Sequence, residues 1–446
     1  MKRAQLGLFL LVIGAPAGAS AQSDANEAAE EFPPALELAP PTVAELEARV
    51  ERTESLVLNR QPALSIGGYI DFGFFAARGN GSGYVQDFGH TLFPEYAGRF
   101  GWVFLGDLLA PAVNTRGEAA DLGDAPGVAR FDSVNSQGAP GFIINEVTLA
   151  LRAQISSSAV ATASLNVAPR TGNEFALGDS VDLDIAQVEW LPTASQRTSI
   201  FVGKMDSVIG IEYRERKADR RFGITPSLIA RYTTGPALGL KLRSKLGSDD
   251  WLVVALALTN GSNTTEPFHF YNEVDSNAAK TGSGRISARL PLPGSDSATV
   301  EVGLSGSFGA QDRSRFNSRA LWFAGVDLLA QLGKLALKGQ WLTGRSPGSA
   351  AENVYALDLK TGSYLEADYM FNASFGVLLR AEQRNAEVSL GDERLYLTKS
   401  WRATTGVRLV FNEHALCKAE YLFNREYGGL PQVRNDVFTS SLVLTY

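Results

Sequence analysis

In the run Leu238-Gly239-Leu240-Lys241-Leu242-Arg243-Ser244-Lys245-Leu246 the leucines take one parity and three cations the other. Ammonium and guanidinium groups repeated at every second position attract and hydrogen-bond anions, and rings of such groups select for anions and phosphates. The division recurs downstream. Phe375, Val377, Leu379 and Ala381 oppose Arg380, Glu382 and Arg384, while Trp401, Ala403, Val407, Leu409 and Phe411 oppose Arg402 and Arg408. Arg285, Arg289, Lys338, Glu366, Asp368, Lys418 and Glu420 belong to the same charged face. A second source of cations is the stretch Val208 to Arg221, where Arg214, Arg216, Lys217, Arg220 and Arg221 stand against Glu212, Glu215 and Asp219.

The elements that position these side chains are strands, because the polarity pattern has period two. Ser65 to Phe74 puts Ile66, Ile70, Phe72 and Phe74 on one face and Ser65, Tyr69 and Asp71 on the other. Similar runs begin near residues 142, 159, 182, 197, 236, 251, 284, 298, 318, 334, 362, 374, 397, 414 and 436, which makes about sixteen strands. A further hairpin around Phe100 to Leu105 would make eighteen. Short turns at 156–158, 192–196, 247–250, 291–296, 332–333, 372–373 and 412–413 alternate with longer segments such as 76–141, 206–231, 260–283 and 344–361. This rhythm predicts an all-β, antiparallel up-and-down transmembrane barrel, since a soluble sandwich has no reason to segregate loop length by end. An Arg or Lys on the lipid face near the midplane costs roughly 2–4 kcal/mol, so cations in a spanning strand must face inward. A lumen so lined, in a barrel of this size, is a water-filled channel unless opposite charges pair and plug it. The basic loop has two readings as well. Folded inward, its cations narrow the pore and favour anions; left outside, it meets lipid phosphates or pairs within itself.

Lys2 and Arg3 precede the apolar run Leu6 to Ile13, and Ala19-Ser20-Ala21 offers the small-x-small pattern of leader cleavage. Residues 1–21 therefore read as a signal peptide cut near Ala21, the apolar run being too short for the roughly 20 residues of a spanning helix. Residues 22–41 form an acidic, Pro-rich spacer. Within 42–60, a Thr42 cap with Glu45 three residues on opens a short periplasmic α-helix that carries Val43, Leu46, Val50 and Val57 on heptad core positions. The barrel runs from 64 to 446. Its last run puts Phe438, Leu442, Leu444 and Tyr446 on one parity and makes Tyr446 the residue that closes the barrel against the first strand.

Composition excludes several functions. Of 41 basic residues the leader removes two, which leaves 39 against 48 acidic ones, a net charge of −9 that rules out general nucleic-acid binding. Cys417 is the only cysteine, so no intramolecular disulfide forms, and His90, His269 and His414 leave little for a metal site. Glu118, Asp121, Asp124 and Asp132 match no defined calcium spacing. No nucleophile stands beside a base, so neither enzyme activity nor a cofactor is expected. Trp190, Trp251, Trp322, Trp341 and Trp401 fall on or near strand ends, as in interfacial girdles.

Phe201-Val202-Gly203-Lys204-Met205-Asp206, followed by Gly210 and Glu212, resembles the strand-to-loop signature of the phosphate-selective (O/P-type) and related Gram-negative porins. Thr259-Asn260-Gly261-Ser262, Asn277, Lys280-Thr281 and Gly284-Arg285 are similar to their next long loop and returning strand, while Val208 stands where those porins often carry proline. The resemblance implies a trimeric, sixteen-stranded diffusion channel, sometimes with an Arg/Lys ladder for oxyanions, whose last residue is read by the barrel-assembly machinery. The expectation is thus an outer-membrane porin of a Gram-negative bacterium, seated in lipid and lipopolysaccharide and passing small anionic or neutral solutes. Its candidate lining and constriction residues are Arg214, Arg216, Lys217, Arg220, Arg221, Lys241, Arg243, Arg285, Arg289, Lys338, Arg380, Arg384, Arg402 and Arg408. The alternative is a closed outer-membrane barrel with an envelope-structural or surface-recognition role through the 76–141 loop.

Overall fold

A computed structural model describes residues 64–77, 141–167, 181–193, 196–247, 249–264, 277–292, 298–311, 314–316, 320–352, 354, 356–428 and 436–446. The leader, spacer and helix expected over 1–60 lie outside the described residues, as do residues 78–140 with His90, the 100–105 hairpin and the four loop acids, and His269. Sixteen strands follow one another: β1 (Leu64–Ala77), β2 (Gly141–Ser156), β3 (Ala159–Val167), β4 (Val181–Trp190), β5 (Thr198–Met205), β6 (Ala237–Leu246), β7 (Leu252–Thr259), β8 (Thr281–Pro291), β9 (Ala298–Ala310), β10 (Ala320–Leu332), β11 (Leu335–Ser346), β12 (Ala356–Met370), β13 (Phe375–Leu390), β14 (Glu393–Asn412), β15 (Ala415–Glu426) and β16 (Val437–Thr445). Each pairs antiparallel with its sequence neighbours. β1 pairs with β16 from Tyr69 opposite Thr445 to Ala77 opposite Val437, so the sheet is a closed barrel with no free edge. Helical pieces among the described residues are short 3₁₀ turns at Glu212–Glu215, Ala230–Tyr232 and Ala350–Glu352.

Alternation decides which way each side chain points. Leu240, Leu242, Leu256, Leu258, Leu304 and Leu379 are exposed on the outer face, whereas Lys338, Arg380, Arg402 and Lys418 are buried on the inner one. All five tryptophans named above are outward, between 40% and 49% exposed. Cys417 lies half-buried on the outer parity, opposite Leu409 and Leu442. The fully described turns at 157–158, 333–334, 371–374 and 413–414 lie at one end, beside the start of β1 and the end of β16.

Strict alternation of short and long connections fails once. β13 and β14 meet in the two-residue turn Gly391-Asp392, with Gly391 at φ 61°, so β14 starts at 393 instead of 397. β12 likewise begins at 356 instead of 362. A bulge between Leu359 and Thr361 reverses its parity: Leu357 and Leu359 point inward and are fully buried, yet beyond the bulge Glu366 and Asp368 point inward and Leu365 outward. A one-residue slip exchanges the two faces of a strand, so no single alternation spans this one.

Candidate functional site

The connection between β5 and β6, residues 206–236, turns into the barrel. Gly203 makes the departure possible: it sits at φ 124°, opposite Gly239, and a Cβ there would lie 2.1 Å from the Ala186 carbonyl oxygen. From this hinge the loop touches β1, β2 and β4 on one side and β9, β11, β12, β13, β14 and β15 on others. A segment that meets strands on all sides of a closed barrel lies within it.

Charge pairs hold the loop at its rim. Arg216 forks onto Asp184 at 2.7 and 2.9 Å and reaches Asp206 at 2.6 Å, and Lys217 bridges Asp184 and Glu146. Arg214 makes two bonds to Glu301, which also accepts from Arg285; Arg285 in turn pairs with Asp327. Lys338 collects Glu215, Glu366 and Asp368. Burial works against the Arg216 cation, but Asp206 and Asp184 outweigh it and hold the guanidinium above its ordinary range. Burial raises the Glu212 carboxyl, against the hydroxyl and N–H that Ser227 donates to it.

Along its middle the loop presents backbone to the β13–β15 wall, which answers group by group. Lys418 donates to the carbonyls of Ala218, Arg221 and Gly223. Glu420 accepts the N–H groups of Ile224 and Thr225, and Glu382 accepts that of Leu228 at 2.7 Å. Arg402 and Arg380 donate to the Pro226 carbonyl, Arg384 to that of Leu228, and Arg408 to that of Arg221 while lying over the Phe222 ring. An irregular segment away from bulk water must have its backbone satisfied, and these side chains do it. Apolar packing completes the attachment: Val208, Ile209, Ile229 and Tyr232 join inward-facing Leu321, Phe323, Leu342, Leu357, Leu359, Tyr364 and Ala386 in a core inside the barrel.

Most of the predicted cations are therefore turned toward carboxylates or carbonyls. Arg221 donates to the carbonyls of Glu215, Arg216 and Ile224. Four of them keep exposed side chains all the same. Arg220 is exposed on the loop, and Arg289, Arg243 and Lys245 are exposed on the inner faces of β8 and β6. Arg243 meets Glu189 at 3.2 Å, and Lys241 donates to the Asp206 carbonyl at 3.0 Å. Tyr446 pairs backbone to backbone with Gly68, and its hydroxyl reaches the Thr148 carbonyl on β2. Sequence reasoning missed the anchoring acids Glu146, Asp184, Glu301 and Asp327, whose signal was their place on the inner parity. It also missed the inward apolar residues, for which alternation gives no signal.

No protein-family model matches the chain, and no curated protein does. Solved structures do match. OmpF of Salmonella typhi, in complex with daunomycin, is 11% identical over 86% of this chain and 97% of its own, with a TM-score of 0.50. An anion-selective porin from Comamonas acidovorans is 8% identical over 86% and 98%, with a TM-score of 0.47. OmpT, an outer membrane protein of Vibrio cholerae, is 9% identical over 87% and 99%, also at 0.47. At such identities the likeness to OmpF is one of fold: this chain is a closed sixteen-strand barrel of the porin type, with a form that fits an outer membrane.

Proposed function

We propose that the protein is a diffusion channel for small hydrophilic solutes, with a weak preference for anions, in the outer membrane of a Gram-negative bacterium. One observation carries this reading: the inward loop and its apolar core press on the β9–β15 wall and on Ala255 and Ala257 of β7, while toward the ends of β6 and β8 the inner faces keep charged side chains exposed, Arg243, Lys245 and Arg289 among them. Solutes would pass between the loop rim, with Arg214 and Glu215, and that wall. The exposed groups there are mainly cationic, since Glu189 is 30% exposed beside Arg243 at 46%, and this supports the anion preference through local potential. A phosphate ladder of the O/P type draws no support, because the cations that would form it are engaged by carboxylates and by the loop backbone. The apolar outer belt supports contact with lipid and lipopolysaccharide, and we extend the resemblance to a homotrimer inserted by the barrel-assembly machinery.

Liposome swelling tests the reading. Vesicles that contain the purified protein should swell in small neutral sugars and amino acids, faster for acidic than for basic ones, and no swelling in any solute would refute it. A second reading, a barrel that does not conduct, is favoured by the burial of Asp71, Glu146, Asp184, Arg285, Glu366, Arg402 and Lys418 around the lumen; it predicts that negative result.

A further inference from the structure

We infer that Phe201, a ring on the inner face of β5, is the positioning residue for the channel's anion preference, and the inference rests on the channel reading above. Phe201 is 5% exposed. Lys241 Nζ stands 4.6 Å from its ring centroid and the Arg243 guanidinium 5.2 Å, so two of the three cations of β6 lie over one aromatic ring of the neighbouring strand. The register explains the geometry: Phe201 pairs directly with Lys241, and Ser199 with Arg243.

Two like charges two residues apart on one strand repel, and each has an alternative. Arg243 already reaches Glu189 at 3.2 Å and Ser199 at 3.5 Å, while Lys241 donates only to the Asp206 carbonyl at 3.0 Å. The electron-rich face of an aromatic ring attracts cations without neutralising them. Phe201 therefore holds Lys241 and Arg243 side by side as a positive strip. Without the ring, Arg243 is left to its 3.2 Å contact with Glu189 alone, and the strip loses charge facing the lumen. A carboxylate at the position of Phe201 would cancel the strip; an aliphatic side chain would fill the volume and leave the cations unheld. The signal in sequence was the placement of an aromatic residue on the polar parity of a strand, beside a strand with alternating cations.

Planar-bilayer reversal potentials under a salt gradient decide the matter, with wild type, Phe201→Leu, Phe201→Trp and Arg243→Gln compared. The expected result is that Phe201→Leu lowers the anion-to-cation permeability ratio by about twofold to fivefold, the factor that corresponds to an exposed cation–π contact. Phe201→Trp keeps the wild-type ratio, and Arg243→Gln lowers it as Phe201→Leu does. Heat denaturation of Phe201→Leu and Phe201→Trp should be alike, which separates positioning from general support of the wall. A conducting wild type whose ratio is unchanged in Phe201→Leu overturns the inference alone, as does a Phe201→Trp protein that shifts as far as Phe201→Leu. A silent wild type overturns the channel reading, and the inference falls with it.

Discussion

Glu382→Ala should release the inward loop while leaving the barrel closed. Glu382 accepts from Arg402 at 2.7 and 3.1 Å, from Arg380 at 3.0 Å, and from the loop N–H of Leu228 at 2.7 Å. Its removal leaves two buried guanidinium groups facing each other and strips the loop of an acceptor. Breaking a buried pair by deleting one partner costs about 3–5 kcal/mol. Arg380 keeps Glu366 at 3.1 Å, which puts this variant near the lower figure, about 3 kcal/mol. At about 1.4 kcal/mol per factor of ten, the open loop becomes on the order of 100-fold more populated. The loop carries trypsin sites at Arg214, Arg216, Lys217, Arg220 and Arg221, and cleavage follows the open population when reclosing outpaces cutting. Limited trypsinolysis should therefore nick Glu382→Ala within 206–236 about 100-fold faster than wild type. Lys245→Ala, which removes one half of an exposed 3.8 Å pair with Asp250, should match wild type. A Glu382→Ala protein that resists trypsin as wild type does would refute the anchoring argument, and so would one that unfolds as a whole before the loop is cut.

Gly68→Ala should lower the heat-denaturation temperature, because a Cβ at Gly68 would come within 2.0 Å of the Thr148 carbonyl and 2.6 Å of the Tyr446 hydroxyl. Tyr446→Phe, which loses only the bond to Thr148, should cost about 0.5–1.5 kcal/mol in the same assay. Leu342→Ala, inside the lumen, should cost about 2–5 kcal/mol in denaturant unfolding as a buried-core truncation does, whereas Leu304→Arg on the outer face should cost about 2–4 kcal/mol if it lies near the bilayer midplane. Arg220→Glu should shift the reversal potential toward cations without changing trypsin resistance; Arg216→Glu, set between Asp184 and Asp206, should instead abolish that resistance.

The barrel was legible because strand alternation is local. Leu238 to Leu246 announces its own two faces, and the turn at 413–414 announces itself by Asn412, whose side chain caps the His414 N–H. Legibility ended where parity breaks. At the bulge between Leu359 and Thr361, the buried Leu357 and Leu359 share a parity with the exposed Leu365, and no pattern in the chain marks the exchange. The candidate site was legible in its residue types and much less so in their partners. That Lys418 faces loop carbonyls about 200 residues earlier depends on the path of the loop, which the hinge at Gly203 sets and alternation cannot express. The inward core of Phe323, Leu342 and Tyr364 was hidden for the opposite reason: apolar residues on an inner face look like an error in the alternation until the loop that covers them is known.

A diffusion channel requires a water-filled path between the loop rim and the exposed cations of β6 and β8. Single-channel recording of the purified protein in a planar bilayer tests it most directly. Discrete current steps that scale with bulk salt are expected, with a reversal potential under a salt gradient on the anion side of zero. Bilayers that take up the protein and carry no current would contradict it.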